Sequence, residues 1–131
     1  MCVIKNNMIY ELDQHIVLPF PPSANRYWRN WQGRMVKSQE ARDYQALIKQ
    51  TCKAFSYGNQ EVSLDILFYR FNKSRNLDNC LKVMIDALEG ICYDNDKQVK
   101  GLYTDIFDDK KNPRADIIIS VYSKRERISF K

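Results

Sequence analysis

The 131 residues contain one histidine, His15, and four cysteines, Cys2, Cys52, Cys80 and Cys92, none spaced as C-x-x-C. A structural zinc site takes four Cys or His ligands, usually in closely spaced pairs, so this inventory argues against one. No apolar run approaches the roughly 20 residues that span a bilayer. The start, Met1 to Lys5 followed by Asn6 and Asn7, lacks the apolar stretch of a secretory signal. These absences predict a cytoplasmic protein with no membrane partner. Its thiols are expected to be reduced, and three of them lie in apolar-periodic segments, where they read as small buried side chains. There is also no internal repeat, low-complexity tract or linker. That predicts a single domain over 1–131, with a loose N-terminus at 1–8 and a basic tail at 123–131.

One further absence is local. No acidic residue occurs between Gln14 and Gln39, whereas Arg26, Arg29, Arg34 and Lys37 all do. The whole chain carries a formal charge of +5. A cluster of one sign suits a polyanionic partner, and a solubilising basic surface is the other reading.

What is present reads as a folding sequence, with 44% hydrophobic residues arranged periodically. Ile9 to Leu18 alternates like a strand until Pro19, Pro21 and Pro22 stop it, and an irregular arm is expected from Ser23 to Lys37. Ser38 is a candidate N-cap for a helix whose face is Ala41, Tyr44, Ile48, Cys52 and Phe55. Glu61 to Phe71 is the clearest strand, with Val62, Leu64, Ile66 and Phe68 on one side. A second helix runs from about Leu77 to Glu89, with Leu81, Met84, Ile85 and Leu88 as its expected stripe and Gly90 at its end. Val99 to Phe107 and Ala115 to Tyr122 complete the set, the latter apolar enough to be central. The order β-α-β-α-β-β predicts an α+β fold with one mixed sheet backed by helices.

The stretch with chemistry is Arg75-Asn76-Leu77-Asp78-Asn79-Cys80-Leu81-Lys82, followed by Asp86 and by Asp94-Asn95-Asp96-Lys97. Asp78 and Lys82 lie four apart on one helix face. Asp96 follows the same helix, and it reaches Asp78 only if the chain folds back through the strand starting near Val99. Two carboxylates able to share a hard divalent cation, with a lysine beside them, form an inventory for phosphodiester hydrolysis. An ordinary Asp78–Lys82 ion pair and a helix cap at Asn76 or Asp78 are the competing readings.

Leu18-Pro19-Phe20-Pro21-Pro22-Ser23-Ala24-Asn25-Arg26-Tyr27-Trp28-Arg29 resembles the opening signature of the RusA-type Holliday junction resolvases. Leu77-Asp78-Asn79-x-x-Lys82-x-x-x-Asp86-Ala87-Leu88 resembles their central motif, and Asp96-Lys97-Gln98-Val99 the acidic loop after it. The resemblance implies a homodimeric endonuclease, often carried by phages and prophages, that cuts four-way DNA junctions with Mg²⁺, Mn²⁺ being a substitute. It implies that Asp78 and Asp96 bind the metal and that Lys82 assists. Where the family pattern has Asp-x-Asp-Asn, this chain has Asn76-Leu77-Asp78-Asn79. Asn76 keeps a carbonyl oxygen and loses the charge, which lowers cation affinity. The site is then impaired and the protein a junction binder, or it works with a weakly held metal, or Asp94 supplies the charge, or the asparagine is an engineered replacement. The expected DNA contacts are Arg26, Arg29, Arg34, Lys37, Lys73 and Arg75, with Tyr27, Trp28 and Trp31 stacking on bases or packing the arm. A basic scaffold protein of a phage replication complex is the remaining alternative.

Overall fold

The computed structural model describes residues 14–52 and 57–122. Period-two alternation produces β1 (Gln14–Pro19), with Ile16 and Leu18 buried. A single helical turn α1 (Ala24–Tyr27) and a hairpin of β2 (Trp28–Trp31) and β3 (Arg34–Lys37) follow. Then come α2 (Gln39–Thr51), β4 (Val62–Arg70), α3 (Leu77–Leu88), a short 3-10 turn at Asp96–Gln98, β5 (Val99–Asp108) and β6 (Arg114–Val121). The expected N-terminal segment 1–8, the strand residues 9–13, Cys2, Phe55 and the tail 123–131 lie outside the described residues.

The main sheet has the order β1-β6-β4-β5. β6 pairs antiparallel with both β1 and β4, and β4 pairs parallel with β5. The mixed sheet and its helices are the α+β architecture expected from the pattern, and β6 is internal, as its continuous apolar character implied. Among the described residues, the helices cover one face of the sheet. Ile16, Leu18, Leu64, Ile66, Phe68, Ala115, Ile117 and Ile119 point into the core beneath the helices. Val17 and Ile118, on the opposite parity, are exposed.

The arm is ordered, contrary to the irregular course expected from its prolines. Gln32 (φ 52°) and Gly33 (φ 79°) form a two-residue turn between β2 and β3. Two successive positive φ values match the right-handed strand twist of a tight hairpin. Tyr27 anchors the arm, being fully buried. The Tyr27 carbonyl accepts from the Ser38 N–H at 2.9 Å, and the Ser38 hydroxyl donates to the Arg26 carbonyl at 2.6 Å. Ser38 also caps α2, its Oγ accepting from the Ala41 N–H at 3.1 Å.

The stripe of α3 is turned from the expected one. Cys80, Val83, Met84, Ala87 and Leu88 are buried, while Leu81 and Ile85 are only partly covered. Both sets satisfy a 3.6-residue period, and the packing of α1 and α2 against α3 selects the former. Gly90 (φ 84°) ends the helix in the left-handed conformation that only glycine adopts freely.

Candidate functional site

Both ends of α3 carry polar side chains that packing does not use. Asn76 occupies the N-cap position with extended backbone, yet its side chain makes no capping bond. Asp78 is exposed in the first turn, and one of its oxygens accepts the Asn79 N–H at 2.9 Å. The partial positive charge at a helix N-terminus favours that carboxylate. Lys82 forms no ion pair with Asp78 among the described residues. Its ammonium lies 5.6 Å from the centre of the Trp28 ring, a cation–π contact that ties α3 to the arm.

Asn79 makes the second tie. Its side-chain oxygen accepts the Ala24 N–H at 3.1 Å, so the first turn of α3 is bonded to the first turn of α1. Asp86, one turn beyond Lys82, is partly buried and has one carboxylate oxygen without a hydrogen-bond partner. Burial, and then the Asp86 carboxylate, push the Tyr27 phenol well above its ordinary range. Tyr27 therefore stays neutral.

The other end of α3 is built differently. Asp96 opens the 3-10 turn. The Asn95 side chain accepts from the Lys97 N–H at 2.9 Å, and the Gln98 side chain accepts from the Asn95 N–H at 2.7 Å. The amide of Gln98 also donates to the Gly58 and Gln60 carbonyls at 2.7 and 2.6 Å. Gln98 is buried, and it holds the acidic turn against the start of β4. The Asn-x-x-Gln spacing of a capping box is a signal for this role that was readable in the sequence and missed.

Asp78 and Asp96 are not brought together within one chain. Val62 pairs with Val99, and Arg70 pairs with Asp108. The chain leaves β4 at Arg70, enters α3 near Asp78, runs back along the helix, and passes Asp96 before β5 starts beside the beginning of β4. A 12-residue helix is ~18 Å long, and the two carboxylates lie toward its opposite ends. Asp94 shares the far end, its N–H donating to the Gly58 carbonyl at 3.1 Å, so within one chain it does not stand in for a charge at Asn76.

Among the described residues, no three His, Cys, Asp or Glu side chains converge on a cation position. Asn76 and Asp78 offer one amide oxygen and one carboxylate. A hard cation takes six or more oxygen ligands, usually with more than one carboxylate. Within a single chain, the described residues therefore do not fit a metal centre.

The expected DNA contacts differ in availability. Arg29 stacks at 5.8 Å on the ring of Trp31, which is half exposed, and Arg34 and Lys73 are exposed. Lys37 is partly covered. Arg26 pairs with Glu40 at 3.1 Å on the surface. Arg75 is the most committed to structure. Its guanidinium lies 4.8 Å from the Phe20 ring centre and donates to the Cys80 thiol at 3.8 Å. Lys73 lines a cleft with Arg70, Asp108 and Lys110 at the end of the sheet nearer Asp78. Arg70 bonds Asp108 at 2.6 Å and holds that carboxyl below the usual range. Lys110, in the β5–β6 turn, was not among the expected contacts, because nothing in a surface turn distinguishes it before the fold is known. Trp28 is partly buried against Tyr27, with ring centres 4.8 Å apart, and packs the arm.

A protein-family model described as endodeoxyribonuclease RusA matches residues 19–120. The chain belongs to the RusA endodeoxyribonuclease family. No curated protein matches it. The RusA match takes in the arm, both ends of α3 and the sheet strands β4 to β6. The family's activity is endonucleolytic cleavage of DNA. No helix among the described residues is long and apolar enough to cross a membrane.

Proposed function

We propose that this RusA-family chain is a structure-selective endonuclease that cuts four-way DNA junctions as a homodimer. Its divalent cation, Mg²⁺ with Mn²⁺ as a substitute, would be held between two copies. The supporting observation is the position of Asp78 and Asp96 toward opposite ends of α3, next to an edge strand. β5 pairs with β4 on one side and with nothing on the other among the described residues. The β4–α3–β5 crossover lays α3 over that edge of the sheet. If two β5 strands meet antiparallel across a two-fold axis, the start of one lies beside the end of the other. Asp96 of a second copy then approaches Asn76 and Asp78 of the first, and the symmetry makes two such sites.

Held there by Asp78, Asp96 and the Asn76 carbonyl, the cation would supply charge neutralisation at the phosphate and activation of a water. The chain's own groups do the rest. Asp78, Asp96 and the Asn76 carbonyl are the proposed ligands, and Lys82 supplies positive charge beside them. Arg29, Arg34, Lys73 and the remaining basic residues hold phosphates, which carry no sequence information directly. Two sites related by a two-fold axis suit paired nicks in a nearly two-fold junction. The protein is proposed to act in the cytoplasm as a single domain.

Asn76 favours a second reading, in which the protein binds junctions without cutting them. Titrating Mg²⁺ or Mn²⁺ against a labelled four-way junction separates the two, because binding without cleavage at any metal concentration supports the silent binder.

Subunit mixing tests the shared site. Asp78→Asn and Asp96→Asn are each expected to be inactive. Random exchange between them restores about one quarter of the intact sites, since half the dimers are mixed and each mixed dimer keeps one good pair. If mixing two well-folded dimers restores nothing, the ligands do not come from separate chains.

A further inference from the structure

We infer that Cys52 and Cys92 are a dithiol pair that hydrogen peroxide converts to a disulfide, clamping the end of α2 to the chain leading into the acidic turn. The inference does not depend on the nuclease reading.

The pair is assembled by the fold across 40 residues of sequence. Cys52 is the C-cap of α2, its N–H bonded to the Ile48 carbonyl at 2.8 Å. Cys92 follows α3, its N–H bonded to the Leu88 carbonyl at 3.0 Å and its carbonyl accepting the Tyr57 N–H at 2.8 Å. Both side chains are buried, at 2% and 0% exposure, and both thiols are free. Their sulfurs are 2.8 Å apart. Little movement therefore separates the dithiol from the cross-linked form. Cys80, equally buried, has Arg75 as its partner and no second thiol beside it among the described residues.

The surroundings make the two sulfurs unequal. The Cys52 thiol is hydrogen-bonded to the Gln14 side-chain oxygen. The bond with Cys92 holds Cys52 below the ordinary thiol range against the opposing effect of burial, and the same bond, with burial, pushes Cys92 up. The thiolate is the nucleophile, and the hydrogen bond from the neighbouring Cys92 thiol favours that form at Cys52. Its sulfur attacks one peroxide oxygen, the O–O bond breaks, and hydroxide leaves. The resulting Cys52 sulfenic acid is attacked by the Cys92 sulfur, forming the S–S bond. The second oxygen departs as water with the Cys92 proton. Peroxide gains two electrons, one from each sulfur.

The test uses the full chain, reduced, desalted and treated with equimolar hydrogen peroxide. The expected product is lighter by two hydrogens, keeps two of the four thiols, and yields a Cys52–Cys92 cross-linked peptide that dithiothreitol releases. Cys80→Ala should leave this product unchanged, and Cys92→Ala should abolish it. Amide exchange across 91–98 should slow in the oxidised chain, because the clamp closes a route of local opening. A cross-link through Cys2, a disulfide between chains, a Cys52 sulfinic acid in its place, or no reaction overturns the inference. That peptide map is made on the unaltered chain, so it decides even if Cys92→Ala fails to fold. Unchanged exchange in the cross-linked chain overturns the clamping of the turn.

Discussion

The two ends of α3 are built on opposite principles. At the far end the acidic turn is held by Gln98, which makes three hydrogen bonds from a buried position and leaves Asp96 exposed on a fixed support. At the near end Asn76 makes no capping bond, Asp78 is exposed, and the contacts that hold the region pass through Asn79 to α1 and through Lys82 to Trp28. One end sets Asp96, with Asp94 nearby, on a hydrogen-bonded turn. The other presents several polar groups beside an arm carrying the basic and aromatic residues. That contrast is what two unlike halves of a composite site would require, each incomplete alone.

Five substitutions probe the contrast, from the largest expected effect to the smallest. Asp78→Asn and Asp96→Asn should each reduce cleavage of a four-way junction by more than about 100-fold while leaving junction binding nearly intact. Equal loss of binding in a gel-shift titration would mean that these residues are structural. Gln98→Ala should lower stability by about 2–3 kcal/mol, because the Asn95 N–H and the Gly58 and Gln60 carbonyls lose a buried partner. A thermal midpoint equal to that of the parent would show that the far end is not held as described.

Asn76→Asp should raise Mg²⁺-dependent cleavage on the order of tenfold, by restoring a negative ligand to the near end. Equal activity before and after the change would mean that Asn76 does not limit the site. Lys73→Ala should be mildest, reducing the slope of log affinity against log salt by about one unit without altering junction preference. An unchanged slope would remove Lys73 from the phosphate contacts.

Much of the architecture was readable from short-range pattern. The alternation in β4, the Ser38 cap, the glycine after α3 and the apolar run of β6 all act within a few residues. The arm is a hairpin and not the irregular segment that Pro19, Pro21 and Pro22 imply, because Gln32-Gly33 takes the two positive φ values of a tight turn. The α3 stripe was misread because Leu81 and Ile85 share its period, and only contacts with other elements distinguish the deep face from its flank. The candidate ligands were found by type and family pattern. Their supports, Asn79 and Gln98, act through bonds to residues 55 and about 40 positions away.

Sequence by itself determined the helices α2 and α3 and the strands β1 and β4 to β6, the buried faces of α2 and β4, and that the chain carries RusA-type motifs in order. Local sterics and periodic burial are written into neighbouring residues. Only the tertiary structure decided that the chain after α3 does not return Asp96 to Asp78 and that Cys52 meets Cys92. Both follow from strand order and from the direction of the β4–α3–β5 crossover. Those properties come from long-range pairing, which no stretch of a few residues encodes.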